Sequence, residues 1–275
     1  MKKNGRVLPF QTKLAQAAEM LQEVAAHFSD APVVAVADSW FGNNGLLKPM
    51  REAVGTRFHL LSRLRSNAAL YALPPPRDAK QRGRPRKYGQ KLGSVAERAL
   101  ELRDRAKTYT VHLYGKSREV HATDQVLMLR SLKCPVRVVW VFRETRYVAL
   151  FTTDLGLSVE QIIEFYGARW KIESGFKELK QDIGSQSSQT RNVHAVTNHL
   201  QFCMMAATLT WVYADRLKPD PERRHKVKGR TSFAFSDVRR LIAEAALSED
   251  FARVWPQLCI PPQKSFVATL LRRVA

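Results

Sequence analysis

Four polar side chains in one segment, Tyr166, Arg169, Glu173 and Lys180, are of types that could serve chemistry at phosphorus. A guanidinium grips phosphate oxygens as a fork, an ammonium acts as a point charge, and a phenol uses its hydroxyl. A carboxylate is the oxygen ligand that a hard dication such as Mg²⁺ selects. If residues 159–183 form one long helix, the four share a face about 60° wide at 100° per residue. Phe165, Ile172, Phe176, Leu179 and Ile183 then make an adjacent apolar stripe that anchors the helix in a core. The solvated face of an ordinary amphipathic helix has the same composition, so the row alone leaves both readings open. A second carboxylate, Asp38, follows Val33-Val34-Ala35-Val36-Ala37, a continuous apolar run that reads as a strand buried on both faces. Parallel-sheet folds place active-site groups at such strand ends. The same aspartate could instead cap the turn that follows it.

The elements that must hold these groups are legible in outline. Residues 12–28 have a helical rhythm, broken at Asp30-Ala31-Pro32. After Asp38 comes the turn-rich Ser39-Trp40-Phe41-Gly42-Asn43-Asn44-Gly45, then a helix around 46–54 and a second strand at 57–64. Strand, helix and strand in that order imply a parallel pair. Composition then changes: Leu73-Pro74-Pro75-Pro76 opens a linker, and residues 77–91 hold seven Lys or Arg against one Asp, a net of +6. Residues 108–126 alternate like a hairpin turning at Tyr114-Gly115-Lys116-Ser117, and 136–142 and 147–152 are strand-like. Residues 66–156 therefore read as a β-rich insertion. Ser158 with Gln161 is a capping box for the next helix, and Gly184 is its C-cap. A further helix spans 193–217, with Phe202, Met204, Met205 and Trp211 as core packing, and Trp170 is expected against the core. A basic loop and short helices around 236–247 and 266–273 close the chain.

Forty-five Lys and Arg against 25 Asp and Glu give a net charge of +20, which favours a polyanionic partner. Cys134, Cys203 and Cys259 are odd in number and form no CxxC pair, pointing to a reducing interior with neither disulfides nor a zinc site. No signal core follows the basic start, and the longest apolar run is too short to cross a bilayer.

The spacing Tyr166-x2-Arg169-x3-Glu173-x6-Lys180, with Trp170-Lys171-Ile172 and Phe176-Lys177-Glu178-Leu179 around it, resembles the signature of the insertion-sequence-four group of DDE transposases. The likeness covers roughly residues 30–215. It implies an α/β, ribonuclease-H-like core in two parts, 1–65 and 157–217, interrupted by the 66–156 insertion and followed by a 218–275 tail of basic loop and helices. By the same resemblance Asp38 and Glu173 are catalytic metal ligands, the second and third carboxylates of a triad that holds two Mg²⁺ or Mn²⁺ ions. Tyr166, Arg169 and Lys180 bind DNA. The separation, 173 − 38 = 135 residues, suits a group with an insertion between these acids. The partners implied are double-stranded DNA, as element ends and as target, and either a second copy or a full-length transposase. The setting implied is a bacterial cytoplasm, at the nucleoid and away from membranes.

The family's first aspartate lies on a strand ahead of the opening helix. Upstream of Asp38 the acidic residues are Glu19 and Glu23, in the helical stretch, and Asp30, in a loop; none suits that place. The expectation is an N-terminally truncated transposase that lacks its first strands, binds metal weakly and performs no strand transfer. The Asp38 strand is left with an apolar edge. The rivals are a non-catalytic DNA-binding fragment that inhibits transposition and a poorly folded remnant. Arg82-Gly83-Arg84-Pro85-Arg86-Lys87 is similar to an AT-hook core, so Arg82, Arg84, Arg86 and Lys87 are candidate DNA contacts, in the minor groove or on phosphates. His194 and His199 are five apart, not a zinc-binding i, i+4 pair.

Overall fold

The computed structural model describes residues 2–3, 6–7, 10–76, 82–217, 220–226 and 232–247. Cys259 and the helix expected at 266–273 lie outside the described residues. The chain divides into two compact units, Met1–Arg169 and Trp170–Ala275.

The first unit is mixed α/β. After a short antiparallel hairpin of Lys2–Lys3 (β1) and Arg6–Val7 (β2), Lys13–Ala26 forms α1, with the Thr12 hydroxyl accepting from the Ala15 amide at its start. At its other end the Arg57 guanidinium donates to the carbonyls of Phe28, Ala31 and Ala25 at 2.7, 2.9 and 3.0 Å, satisfying oxygens that the helix and its exit leave over. Val33–Ala37 (β3) and Phe58–Arg63 (β4) pair in parallel, Ala37 level with Ser62, across the helix Asn44–Val54 (α2). The remaining strands are Ala69–Tyr71 (β5), Lys91–Ser94 (β6), Lys107–Leu113 (β7), Lys116–Leu129 (β8), Cys134–Arg143 (β9) and Arg146–Thr152 (β10). They join β3 and β4 in one eight-stranded sheet of order β3-β4-β10-β9-β8-β5-β6, with β7 paired to β8. The hairpin turn falls at Tyr114 and Gly115, both at positive φ.

Alternation along the central strands divides the core. Phe58 and Leu60 of β4, Val136, Val138 and Trp140 of β9, and Phe151 of β10 face one side, together with Leu46, Leu47 and Met50 of α2. The same cluster takes Val95, Ala99 and Leu102 from Val95–Leu102 (α3), whose Ser94–Glu97 capping box is intact. Leu61, Val139, Val141 and Leu150 face the other side, against Val159, Ile162 and Ile163 of Val159–Ala168 (α4). Burying each large side chain on the two faces contributes roughly 1.5–3 kcal/mol. The strand at 33–37 is the edge of the sheet, as expected, but all five of its residues are half-buried rather than buried on both faces, because an edge strand has neighbouring side chains on one side only.

The helix expected at 159–183 is not continuous. The capping box of Ser158 and Gln161 starts α4 as read, but the ladder lapses at Arg169 and Trp170. In the second unit it resumes as Lys171–Lys177 (α5), opens into a π turn at Glu178–Asp182, and ends near Gly184 at φ +88°. The premise of one 100° wheel through residues 166–180 therefore fails, and the stripe built on it is not a core face: Phe165, Ile172 and Phe176 are exposed, and Trp170 is 54% exposed rather than buried. Val193–Arg216 (α6) is a helix as expected, but Phe202, Met204, Met205 and Trp211 are exposed, not packed in a core. The residues of α6 that are buried are Cys203, Thr210 and Ala214, a narrow stripe. Phe235–Ala246 (α7) completes the described part, its buried Asp237 accepting from the amides of Ala234 and Arg224 at 2.8 and 3.1 Å. Among the described residues, no helix is long and apolar enough to cross a membrane.

Candidate active site

Asp38 is the first residue after β3, at the C-terminal end of the parallel pair. Its carboxylate is exposed, and one oxygen, Oδ1, accepts from the amides of Trp40 at 2.9 Å and Phe41 at 3.3 Å. The turn-capping role left open by the sequence is thus real. Oδ2 has no hydrogen bond among the described residues, so the same side chain presents an oxygen outward. The turn is fixed from beneath. The Ser62 hydroxyl, itself buried, donates to the Asp38 carbonyl at 2.6 Å. Gly42 lies so close to β4 and β10 that a Cβ there would meet Ser62 Oγ at 2.7 Å and Phe151 Cε1 at 3.1 Å. Asn43 closes the turn, its amide donating to the Trp40 carbonyl at 2.7 Å while its own oxygen caps α2 through the Gly45 amide. Neither Ser62 nor Gly42 is marked by a local pattern; their part follows from the register of β3 on β4.

Tyr166 and Arg169 come together at the end of α4, the guanidinium carbon 6.0 Å from the ring centroid, with Tyr166 half-buried against the second core cluster. Two contacts seat α4. Glu164 accepts the His112 amide of β7 at 2.7 Å, and Arg137 donates to the Leu157 carbonyl at 2.6 Å while pairing with Asp124 at 2.8 Å. In the second unit Glu173 is exposed in the first turn of α5. Lys180 is in the π turn, its ammonium 5.8 Å from the Phe176 ring centroid. Glu178, beside it in sequence, accepts from the Trp211 indole at 3.1 Å. Burial pushes its carboxyl above the usual carboxylate range, aided by Asp182 and opposed by Trp211 and Lys177.

Of the proposed DNA contacts outside the helices, Arg82, Arg84, Arg86 and Lys87 are exposed. The base of their loop is closed by the Gly89 amide on the Ala72 carbonyl at 3.0 Å and by Tyr71 against Tyr88. His199 lies 3.6 Å from the Cys203 sulfur, a pairing within α6. No cluster of three or more His, Cys, Asp or Glu converges on a metal-sized space among the described residues. The donor chemistry at Asp38, an exposed carboxylate with one oxygen uncommitted, suits a hard dication.

The family model described as the transposase DDE domain matches residues 11–209. No curated protein matches the chain.

Proposed function

From a chain that belongs to the transposase DDE domain family, we propose the site that carries its DNA cleavage and transfer: Asp38 and Glu173 as the metal-binding carboxylates, with Tyr166, Arg169 and Lys180 positioning the DNA backbone. The observation that carries the reading is the placement of Asp38. It ends the edge strand of a parallel pair, is locked by backbone amides and Ser62, and keeps one oxygen exposed. Bound Mg²⁺ or Mn²⁺ would supply charge neutralisation at the phosphate and activation of the attacking oxygen. The protein's own residues orient and neutralise: Arg169 as a bidentate donor held over Tyr166, and Lys180 as a point charge. Within the family we assign the chain to the insertion-sequence-four group. Residues 1–65 and 157–217 then form a ribonuclease-H-like core, and 66–156 its insertion. Arg82, Arg84, Arg86 and Lys87 add phosphate contacts.

We assign Asp38 and Glu173 alone as metal ligands, since Glu19 and Glu23 lie on α1 and Asp30 in the loop before β3. The chain alone is expected to bind Mn²⁺ weakly and to nick DNA near background. Mn²⁺ titration of the whole chain, followed by calorimetry, tests the site: affinity should fall at least about tenfold in both Asp38→Asn and Glu173→Gln. An affinity untouched by either substitution sinks the assignment. Robust nicking of labelled element-end DNA that vanishes with Glu173→Ala would keep the site and overturn the inactivity.

A further inference from the structure

A cavity of about 820 Å³ opens beside Asp38, entirely within the first unit. Ser39 lines it on one side, Arg63, Arg65 and Asn67 along its length, and Arg146 and Tyr147 on the far side. The topology explains its position. Because β3 and β4 run parallel with Ala37 level with Ser62, Asp38 and Arg63 leave the sheet at the same height. β10 runs antiparallel to β4 and pairs with it only from Leu150 onward. Its first residues, Arg146 and Tyr147, therefore project past the end of β4 and leave a trough between them and the 63–67 segment.

The trough is strongly cationic. Arg63, Arg65 and Arg146 are exposed, none has an ion pair or side-chain hydrogen bond among the described residues, and no acidic residue lines the cavity. Three guanidiniums left to repel one another in a shared space call for an anion. The charges come from two segments on opposite sides of the trough, 63–67 and the start of β10, which suits a chain of phosphates better than one compact anion.

We propose that this trough binds the sugar-phosphate backbone of DNA, on the strand that leads to or from the phosphate held at Asp38. The proposal rests on the DNA reading above and extends it to residues outside the Tyr166–Lys180 signature. Arg63, Arg65 and Arg146 neutralise successive phosphates, and Ser39 joins the trough to the carboxylate next to it.

The test is the salt dependence of binding of the full chain to a fluorescent random-sequence duplex, in EDTA so that no metal contributes. Replacing Arg63, Arg65 and Arg146 together by alanine should make the slope of log affinity against log salt shallower by about 2–3, at roughly 0.9 for each phosphate left without its cation. The corresponding triple lysine variant should restore most of it. A slope unchanged in the alanine variant overturns the proposal. A second measurement does not depend on how well that variant folds: in Asn67→Cys, duplex should protect residue 67 from a thiol reagent, read by peptide mass, and equal labelling with and without duplex also overturns it. Failure of the carboxylate assignment would show in the Mn²⁺ titration and leave these metal-free results intact.

Discussion

At the scale of single residues, Glu178 is where protonation and folding meet. Its carboxyl is held above the ordinary range mainly by burial, so the folded protein keeps this proton to a higher pH than the unfolded chain does. Stability from this group is therefore complete below the ordinary carboxylate range and is lost as pH rises through the raised folded value. Glu178→Gln keeps an acceptor for the Trp211 indole and removes the titration. Urea unfolding midpoints between about pH 4 and pH 8 should decline less in the variant than in the parent. Parallel pH profiles would show that Glu178 does not titrate differently on folding. Asp38 makes the opposite use of its oxygens, one committed to backbone amides and one exposed. Its candidacy was legible because a carboxylate after an apolar run is a strong local signal. Ser62, which holds its carbonyl, was not, because a serine in a strand carries no mark of what lies beneath it.

Among elements, the sequence was a good guide wherever a local rule decided the structure. The Ser158–Gln161 box, the strand run at 33–37 and the Tyr114–Gly115 turn each stand on two or three residues and their geometry. It misled where continuity had to be assumed. The signature's wheel required one unbroken helix, but the hydrogen-bond ladder lapses at Arg169 and opens by a residue at 178–182, so Lys180 is not where a uniform 100° step puts it. Helix α3 was passed over although Ser94-x-x-Glu97 announces it, because the hydrophobic run behind it is short. Tertiary ties also escape a local reading. Arg57, at the entrance to β4, holds three carbonyls at the end of α1 about 30 positions earlier in the chain. Arg57→Ala should lower unfolding stability in urea by about 2 kcal/mol, with Arg57→Lys in between, since one ammonium cannot match the fork. A loss within error would assign these carbonyls to water.

For the molecule as a whole, the excess positive charge was plain from composition, but its distribution was not. The sequence drew attention to the densest run, Arg82 to Lys87, and gave no hint that Arg63, Arg65 and Arg146 line one cavity, because they are up to 83 residues apart (146 − 63). The exposed loop is expected to contribute on its own. Alanine at Arg82, Arg84, Arg86 and Lys87 should make the salt slope of duplex binding shallower by about 3–4 if each meets a phosphate. A wild-type slope would leave the loop solvated and outside the interface. A loss confined to A·T-rich duplex would mark minor-groove insertion instead.

The seating of the Asp38 turn has a last consequence, for how this sequence can drift. Gly42 and Ser62 touch no phosphate, yet each is as constrained as the acid they support. A larger residue at 42 finds the space taken by β4 and β10, and a residue at 62 without a hydroxyl strips the Asp38 carbonyl of its donor. Lineages that keep the chemistry thus inherit restrictions set by sheet geometry, while the side chain of Trp40, two residues past Asp38 and 44% exposed, is held less tightly.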